Sequence, residues 1–313
     1  MTKLIPLIAL SAALTACDMG PTTAEDYASV LPDDRVQITL PVEAARRDAR
    51  EWSEFYLMTA EVTDDVNGLI GGVLHWVDVV TDYEPTWSDT EENTAVWGPW
   101  ADALDPAETA LWVHYDVETD IYTWGINQRP KGEGDDAWVV VVAGQVNEGA
   151  TSEVSDGWFA IDFDSIHELD PTREATGSFI CEYDIALDGV VASAGFDDFS
   201  DGGPALDAYY HYEQLFGSTG LMDLARTIDL NPEDGTDLDE VLVIRSRWTE
   251  FGEGRADAYV TEGDLGSTVG TATECWDDAF APVYYTDNFS GTTTGDEAEC
   301  AFAEPEFSES TES

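Results

Sequence analysis

The side chains that most often do chemistry are either too abundant or too scattered in this sequence to indicate a reaction. With 66 Asp and Glu residues, pairs such as Asp162 and Asp164 are expected by chance and do not indicate acid–base catalysis. The four histidines show no pair at metal-ligand spacing; they are His75, His114, His167 and His211. The sequence has no G-x-S-x-G, C-x-x-C, H-E-x-x-H or phosphate-loop motif. The sequence therefore favours a protein that is not an enzyme. A secreted hydrolase that uses carboxylates is the alternative.

One loop clusters oxygen ligands in the way a cation site requires. Its candidate ligands are Asp229, Asn231, Asp234 and Asp237, grouped around Gly235. Hard cations such as Ca²⁺ prefer clustered carboxylate and carbonyl oxygens. The loop resembles the calcium loop of EF-hands, although its glycine falls at the seventh place rather than the sixth. The resemblance implies calcium, whereas the departure favours an acidic hairpin turn between two strands, and no other cofactor is expected.

The N-terminus carries the most specific motif in the chain. Lys3 precedes an apolar stretch from Leu4 to Leu14, which is too short to span a bilayer and has the length of a signal-peptide core. The sequence Leu14-Thr15-Ala16-Cys17 that follows resembles the lipobox of bacterial lipoproteins. The resemblance implies cleavage before Cys17, a diacylglycerol on its sulfur and a further acyl chain, such as palmitate, on its new amino group. Two or three acyl chains anchor a protein firmly to a membrane. An ordinary secretory signal with an incidental Cys17 is the alternative.

The lipoprotein resemblance places the protein in the cell envelope, outside the cytoplasm. The outer membrane or cell surface is favoured. Asp18 resembles the signal that retains some lipoproteins in the inner membrane, so that location stays open.

Three cysteines remain, and an odd number in an exported protein suggests one pair and one free thiol. Cys275 and Cys300 flank a short segment near the end of the chain, and we expect them to form a disulfide. Cys181 alternates with Phe179 and Tyr183, which predicts a buried free thiol. Alternative pairings through Cys181 stay open.

The charge of the chain excludes some partners. With 12 Lys and Arg residues against 66 Asp and Glu, the formal net charge is −54. Such a surface repels nucleic acid and anionic lipid headgroups, so a membrane is expected as a partner only through the N-terminal lipid. Salt screens self-repulsion, which makes this composition typical of a protein in saline or marine water. A hydrophobic content of 43% argues against a disordered acidic chain.

Residues 42–82 show apolar side chains at helical spacing, among them Val62, Val66, Ile70, Val73 and Val77. The pattern predicts one long amphipathic helix, or two helices that meet near Asn67-Gly68 or Gly71-Gly72. Its apolar stripe is expected to face a protein core, with a lipid-contacting face as the alternative.

After residue 96 the period changes to two, with Gly- and Asp-rich turns between the runs. We count about 11 or 12 strands, which predicts a large antiparallel meander. Residues 137–146 are apolar at both alternating positions and are expected to be buried on both faces. The aromatic stretches 97–100 and 120–128 suggest either β core or a platform for carbohydrate or another ligand.

The predicted fold class is mainly β with an N-terminal helix (α+β): a curved antiparallel sheet packed on the 42–82 helix. The predicted organisation is a signal peptide (1–16), a lipidated tether (17–34), one β-rich domain (35–302) and an acidic disordered tail (303–313). The predicted function is a non-catalytic structural or interaction role in an envelope lipoprotein, with a protein or lipophilic partner not identified. The alternative is a carrier of a lipophilic ligand held between sheet and helix, which a deep apolar pocket there would favour.

Overall fold

The computed structural model describes residues 21, 23–41, 52–89, 91–147, 150, 154–229, 238–265 and 268–308. Its helices are α1 (Ala24–Ser29), α2 (Glu54–Thr81) and α3 (Phe163–Leu169). The fifteen strands within the described residues are β1 (Trp87–Asp89), β2 (Thr94–Trp100), β3 (Ala107–Asp116), β4 (Ile121–Pro130), β5 (Val139–Val146), β6 (Ser155–Asp162), β7 (Thr176–Ile185), β8 (Gly189–Ser200), β9 (Leu206–Leu215), β10 (Gly220–Ile228), β11 (Glu240–Trp248), β12 (Gly254–Glu262), β13 (Gly270–Trp276), β14 (Pro282–Asp287) and β15 (Thr293–Gly295).

All fifteen strands form one sheet, and each pairs antiparallel with the next strand along the chain. The predicted fold class, an antiparallel meander with an N-terminal helix, is confirmed. The strand count exceeds the expected 11 or 12 because strands such as β1 and β15, with three residues each, are too short to show alternation.

Helix α2 is a single helix of 28 residues. It begins after Ser53, whose hydroxyl accepts a hydrogen bond from the amide of Tyr56 and so caps the first turn. It continues without a break through Gly68, Gly71 and Gly72, and residues 42–51 of the predicted helical segment lie outside the described residues. Its buried face includes the predicted apolar stripe and belongs to the core cluster that the strands form. No helix in the described part of the chain is both long and apolar enough to cross a membrane.

The helix crosses the strands rather than running along them. At its start, Ser53 Oγ donates to Glu274 Oε2 on β13 at 2.7 Å, and Thr59 Oγ1 lies 2.6 Å from Ser246 Oγ on β11. At its other end, the ring of Trp76 packs edge-on against Trp100 on β2. Eleven strand spacings separate β2 from β13, about 53 Å along a flat sheet, whereas 28 helical residues extend only about 42 Å. The sheet therefore has to curve around the helix.

The segment before α2 is more ordered than the predicted tether. A capping box at Thr23 and Asp26 begins α1, and the side chain of Tyr27 is only 2% exposed. The side chain of Asn67 on α2 exchanges two hydrogen bonds with the backbone of Ile38, at 2.8 and 2.7 Å. The folded body therefore begins before the expected residue 35, and residues 1–20 lie outside the described residues.

The segment at the other end of the chain also differs from the expectation. Residues 302–308, here called the C-terminal segment, lie on the face of the sheet opposite the helix, where Arg245, Arg247 and Arg255 bind them. The predicted disulfide between Cys275 and Cys300 is present and holds the chain just before this segment. Of the predicted disordered tail, residues 303–308 are thus docked by ion pairs that the sequence pattern does not reveal, and residues 309–313 lie outside the described residues.

Candidate functional site: a cavity between the helix and the sheet

A cavity of about 520 Å³ lies between α2, the first half of the sheet and α3. We call it the helix–sheet cavity. Its volume falls within the range of about 300–1,000 Å³ that is usual for small-molecule sites. A half-open pocket of ligand size is therefore present between the helix and the sheet.

The wall of the cavity formed by α2 includes two residues without side chains. Gly68 and Gly72 lie one turn apart and line the cavity together with Leu69, Val73 and Trp76. A Cβ atom added at either Gly68 or Gly72 would meet no other atom within 4 Å, so close packing does not require a glycine there. Because glycine in a helix interior costs about 1 kcal/mol relative to alanine, these two residues leave space at the expense of helix stability.

The floor of the cavity is apolar and comes from consecutive strands. Ile126 on β4, Val142 on β5 and Ile161 on β6 are paired in one register row and are each about 5–6% exposed. The β4–β5 pairing shifts by one residue here, so that Val141 has no partner of its own. This bulge lets both Val141 and Val142 line the cavity.

Helix α3 closes one end of the cavity. It begins at Asp162, whose carboxylate accepts hydrogen bonds from the amide and hydroxyl of Ser165 at 2.9 and 2.7 Å. This start turns Phe163 and Ile166 toward the cavity. The ring of Phe163 also packs against Phe199 at 5.2 Å between centroids, which fixes the position of the helix.

The rim is polar. Its ionisable side chains are Asp105, Asp170 and Arg173. Hydrogen bonds from Thr172, followed by the charge of Arg173, hold the pKa of the Asp170 carboxyl below its usual value. The guanidinium Nε of Arg173 lies 3.5 Å from this carboxylate, and its side chain is 69% exposed. A shallow depression continues from the rim toward Leu104, which is 97% exposed.

An apolar interior with a polar rim is suited to binding an amphiphile. The interior offers contacts to a hydrocarbon chain, and the rim offers hydrogen bonds to a polar head. No acid–base pair lines the described interior, since the three ionisable lining residues are at the mouth.

The buried carboxylates lie elsewhere and have structural partners. Glu274 accepts hydrogen bonds from Ser53 Oγ and from the amide of Phe55, and burial raises its pKa above the usual value. Asp223 and Asp257 pair with arginines. None of these three lines the helix–sheet cavity.

Most of the predicted calcium loop cannot be located. Asn231, Asp234 and Asp237 lie outside the described residues, and Asp229 is at the edge of the gap. Among the described residues, no group of three or more His, Cys, Asp or Glu side chains could hold a metal ion. The calcium site stays a prediction.

The remaining predicted residues are two cysteines and the outward-facing histidines. Cys181 is a free cysteine within the interior, and burial raises the pKa of its thiol to about 12, so the thiolate that would react is suppressed. Cys17 lies outside the described residues, so its lipidation stays a prediction. The outward histidines bond locally: His114 Nδ1 lies 3.0 Å from Thr94 Oγ1, and His211 Nδ1 lies 2.9 Å from Ser193 Oγ.

Sequence reasoning named a pocket between helix and sheet only as the feature that would favour a carrier, and it did not identify the residues that form one. Gly68 and Gly72 suggested a break between two helices, although their spacing of four was a signal for one open helix face. Nothing in the sequence indicated the bulge at Val141 or the position of Arg173. Both depend on how separate elements pair in the fold.

Comparison of this chain with protein-family models, with curated proteins and with solved structures finds no match.

Proposed function

We propose that this protein is a lipid-anchored envelope protein with a non-catalytic role, whose folded domain binds a single-chain amphiphile in the helix–sheet cavity. The observation that supports the proposal is the cavity itself: an apolar floor beneath a helix whose exposed glycines keep the entrance open. The hydrocarbon chain lies over Ile126, Val142 and Ile161, and the polar head stays at the rim near Gln128 and Arg173.

The hydrophobic effect supplies the affinity. Each methylene group that moves from water into an apolar cavity contributes about 0.8 kcal/mol. The rim contributes orientation rather than affinity, because its one described arginine is already next to Asp170 and is itself largely exposed to solvent.

The anchor is a separate part of the proposal and rests on the lipobox at Leu14 to Cys17. Acyl chains on Cys17 would hold the domain next to a membrane surface, where amphiphiles are concentrated. Under this proposal the protein binds its ligand close to the membrane that supplies it, with the outer membrane or cell surface as the favoured location.

Filling the cavity tests the proposal. The double variant Gly68→Leu/Gly72→Leu places two side chains in space that is empty of protein atoms, so it should fold with unchanged or higher stability and lose at least tenfold in affinity for 1-monoparinaroylglycerol, an uncharged fluorescent single-chain amphiphile. The matched control is Asp78→Leu, which adds the same side chain at an exposed position of α2 away from the cavity and should bind as the unmodified protein does.

Fluorescence titration of the purified full-length chains gives the three affinities. Equal affinity in the double variant and the control would refute the proposal, as would an unmodified protein that does not bind the probe. Circular dichroism of each chain confirms that the helix and sheet are intact.

A further inference from the structure

The face of the sheet opposite the helix carries an apolar row that crosses the strands at right angles. Strand pairing places six residues of β1 to β6 side by side in this row; they are Trp87, Val96, Trp112, Gly125, Ala143 and Ala160. The same row continues through Ile180 and reaches Val243 on β11 and Tyr259 on β12. An apolar row on the outer face of a sheet requires an explanation, because that face is normally polar.

One end of the row is covered by the chain itself. The ring of Phe307 packs edge-on against Tyr259 at 6.3 Å, and Val243 is only 2% exposed. Arginines fix this cover: Arg245 and Arg247 each donate to one oxygen of Glu306, at 2.7 and 2.8 Å. An acidic peptide can thus occupy this face where arginines hold its carboxylates.

The other end of the row is open. Trp87 is 46% exposed, Trp112 is 43% exposed and Val140 is 51% exposed. Residues 137–146 are apolar at both alternating positions and were expected to be buried on both faces, yet no described part of the chain covers the outer face of β5 at Val140. These side chains line a groove of about 810 Å³, here called the tryptophan groove.

The shape of the groove follows from where the row has small residues. Trp112 on β3 and Trp158 on β6 stand at two points along the groove, and Gly125 and Ala143 on the strands between them form its floor. A Cβ atom at Gly125 would lie 3.1 Å from the carbonyl oxygen of Val142 and 3.6 Å from Val140 Cγ1, so glycine keeps this floor low. Five strand spacings from β1 to β6 make the groove about 24 Å long, which suits an extended ligand more than a compact one.

Polar side chains with both donors and acceptors lie beside the aromatic ones. The polar and charged lining residues are Glu92, Thr94, His114, Thr123 and Asn127. Thr94, His114 and Thr123 form a register row of their own, adjacent to Val96, Trp112 and Gly125. Hydroxyl, imidazole and amide groups therefore run parallel to the aromatic row.

The charge of the groove restricts its occupant. Its lining, as far as the described residues go, includes the carboxylate of Glu92 and no Lys or Arg, and the whole chain has a net charge of −54. Nucleotides, sulfated or uronic polysaccharides and acidic peptides are repelled. The C-terminal segment of a second copy would find none of the arginines that hold it at the other end of the row.

We propose that the tryptophan groove binds an extended, neutral saccharide chain. A pyranose ring has one apolar face of C–H groups, which stacks on indole, and a rim of hydroxyl groups, which both donate and accept hydrogen bonds. The groove offers both features side by side over a length that spans several linked sugars. This site is on the opposite face of the sheet from the helix–sheet cavity, so the two sites are occupied independently.

The test uses isothermal titration of the full-length protein with neutral hexasaccharides of glucose, xylose and N-acetylglucosamine. At least one is expected to bind. Trp112→Ala should weaken that binding about tenfold, as expected for the loss of one stacked ring, and Trp112→Phe should restore most of it. Phe251→Ala removes an aromatic ring that is 71% exposed but outside the groove and should have no effect.

Three results would overturn the proposal: no binding of any neutral saccharide, unchanged binding by Trp112→Ala, or equal binding of polygalacturonate, which is anionic. Binding of a basic peptide that Trp112→Ala abolishes, without saccharide binding, would also overturn it and would assign the groove to a cationic partner. Unchanged circular dichroism of the variants excludes misfolding as the cause of any loss.

Discussion

At the residue scale, three of the 12 basic side chains of this acidic protein form one network of ion pairs. Arg245, Arg247 and Arg255 bind Asp223, Asp257 and Glu306 on neighbouring strands and the C-terminal segment. The Asp257 carboxylate is fully buried and accepts hydrogen bonds from Arg247, Arg255, Thr273 Oγ1 and the amide of Glu306. It therefore connects three consecutive strands, β11 to β13, with the C-terminal segment.

Replacing Asp257 by Asn should destabilise the protein strongly. Removing one partner of a buried ion pair leaves uncompensated charge and typically costs about 3–5 kcal/mol. The control is Asp135→Asn, which removes the exposed partner of Arg129 and should cost about 1 kcal/mol or less. Urea unfolding measures both free energies, and similar values for the two variants would contradict the assigned role of Asp257.

Sequence reasoning at this scale succeeded where the signal was local. Alternation along one strand predicted the buried thiol of Cys181, and the short segment between Cys275 and Cys300 predicted their disulfide. The arginine network left no such signal, because Arg245 and Glu306 are separated by 61 residues and meet only through the sheet register.

At the element scale, packing decided a question that local propensity left open. Glycines at 68, 71 and 72 suggested two helices, yet the buried face of α2 runs continuously across them. Burial of Val66, Ile70, Val73 and Val77 outweighs the glycine penalty. The amphipathic stripe was therefore the more reliable guide to the helix than its glycines.

The expected effect on stability of replacing each glycine of α2 depends on the atoms around that glycine. Gly68→Ala and Gly72→Ala should each raise the free energy of unfolding by about 1 kcal/mol, because alanine favours the helix and its Cβ meets no neighbour. Gly71→Ala is the matched control: its Cβ would lie 2.6 Å from Gln37 Nε2, so that side chain must move and the gain should be smaller. Urea unfolding compares the three, and a destabilised Gly72→Ala would show that the space is not open.

The strands were predictable where one face is wet and the other is buried. Strands such as β7, with alternating buried and exposed residues, show this pattern clearly. Strand β5 does not, because its outer face includes apolar side chains such as Val140 that no described residue covers. Its apolar outer face was thus a signal of the tryptophan groove rather than of a central, doubly buried strand.

At the scale of the whole molecule, a net charge of −54 opposes the compact state. The curved sheet keeps its apolar side on α2 and presents acidic residues to water. Salt screens their repulsion, with a screening length that falls from about 30 Å at 0.01 M to about 3 Å at 1 M.

The thermal midpoint of unfolding should therefore rise as NaCl increases from 0.01 to 1 M. KCl should give the same rise at equal ionic strength, because screening depends on charge and concentration rather than on the cation. A midpoint that is independent of salt would contradict the view that self-repulsion limits stability.

The most direct measurement of the central claim is mass spectrometry of the full-length protein extracted from its membrane, under denaturing and then under native conditions. The denatured chain should begin at Cys17 and carry covalent acyl mass. The native protein should carry in addition about one equivalent of an amphiphile, which Gly68→Leu/Gly72→Leu loses and Asp78→Leu retains. Identical native and denatured masses, or a bound amphiphile that the cavity-filling variant retains, would contradict the account.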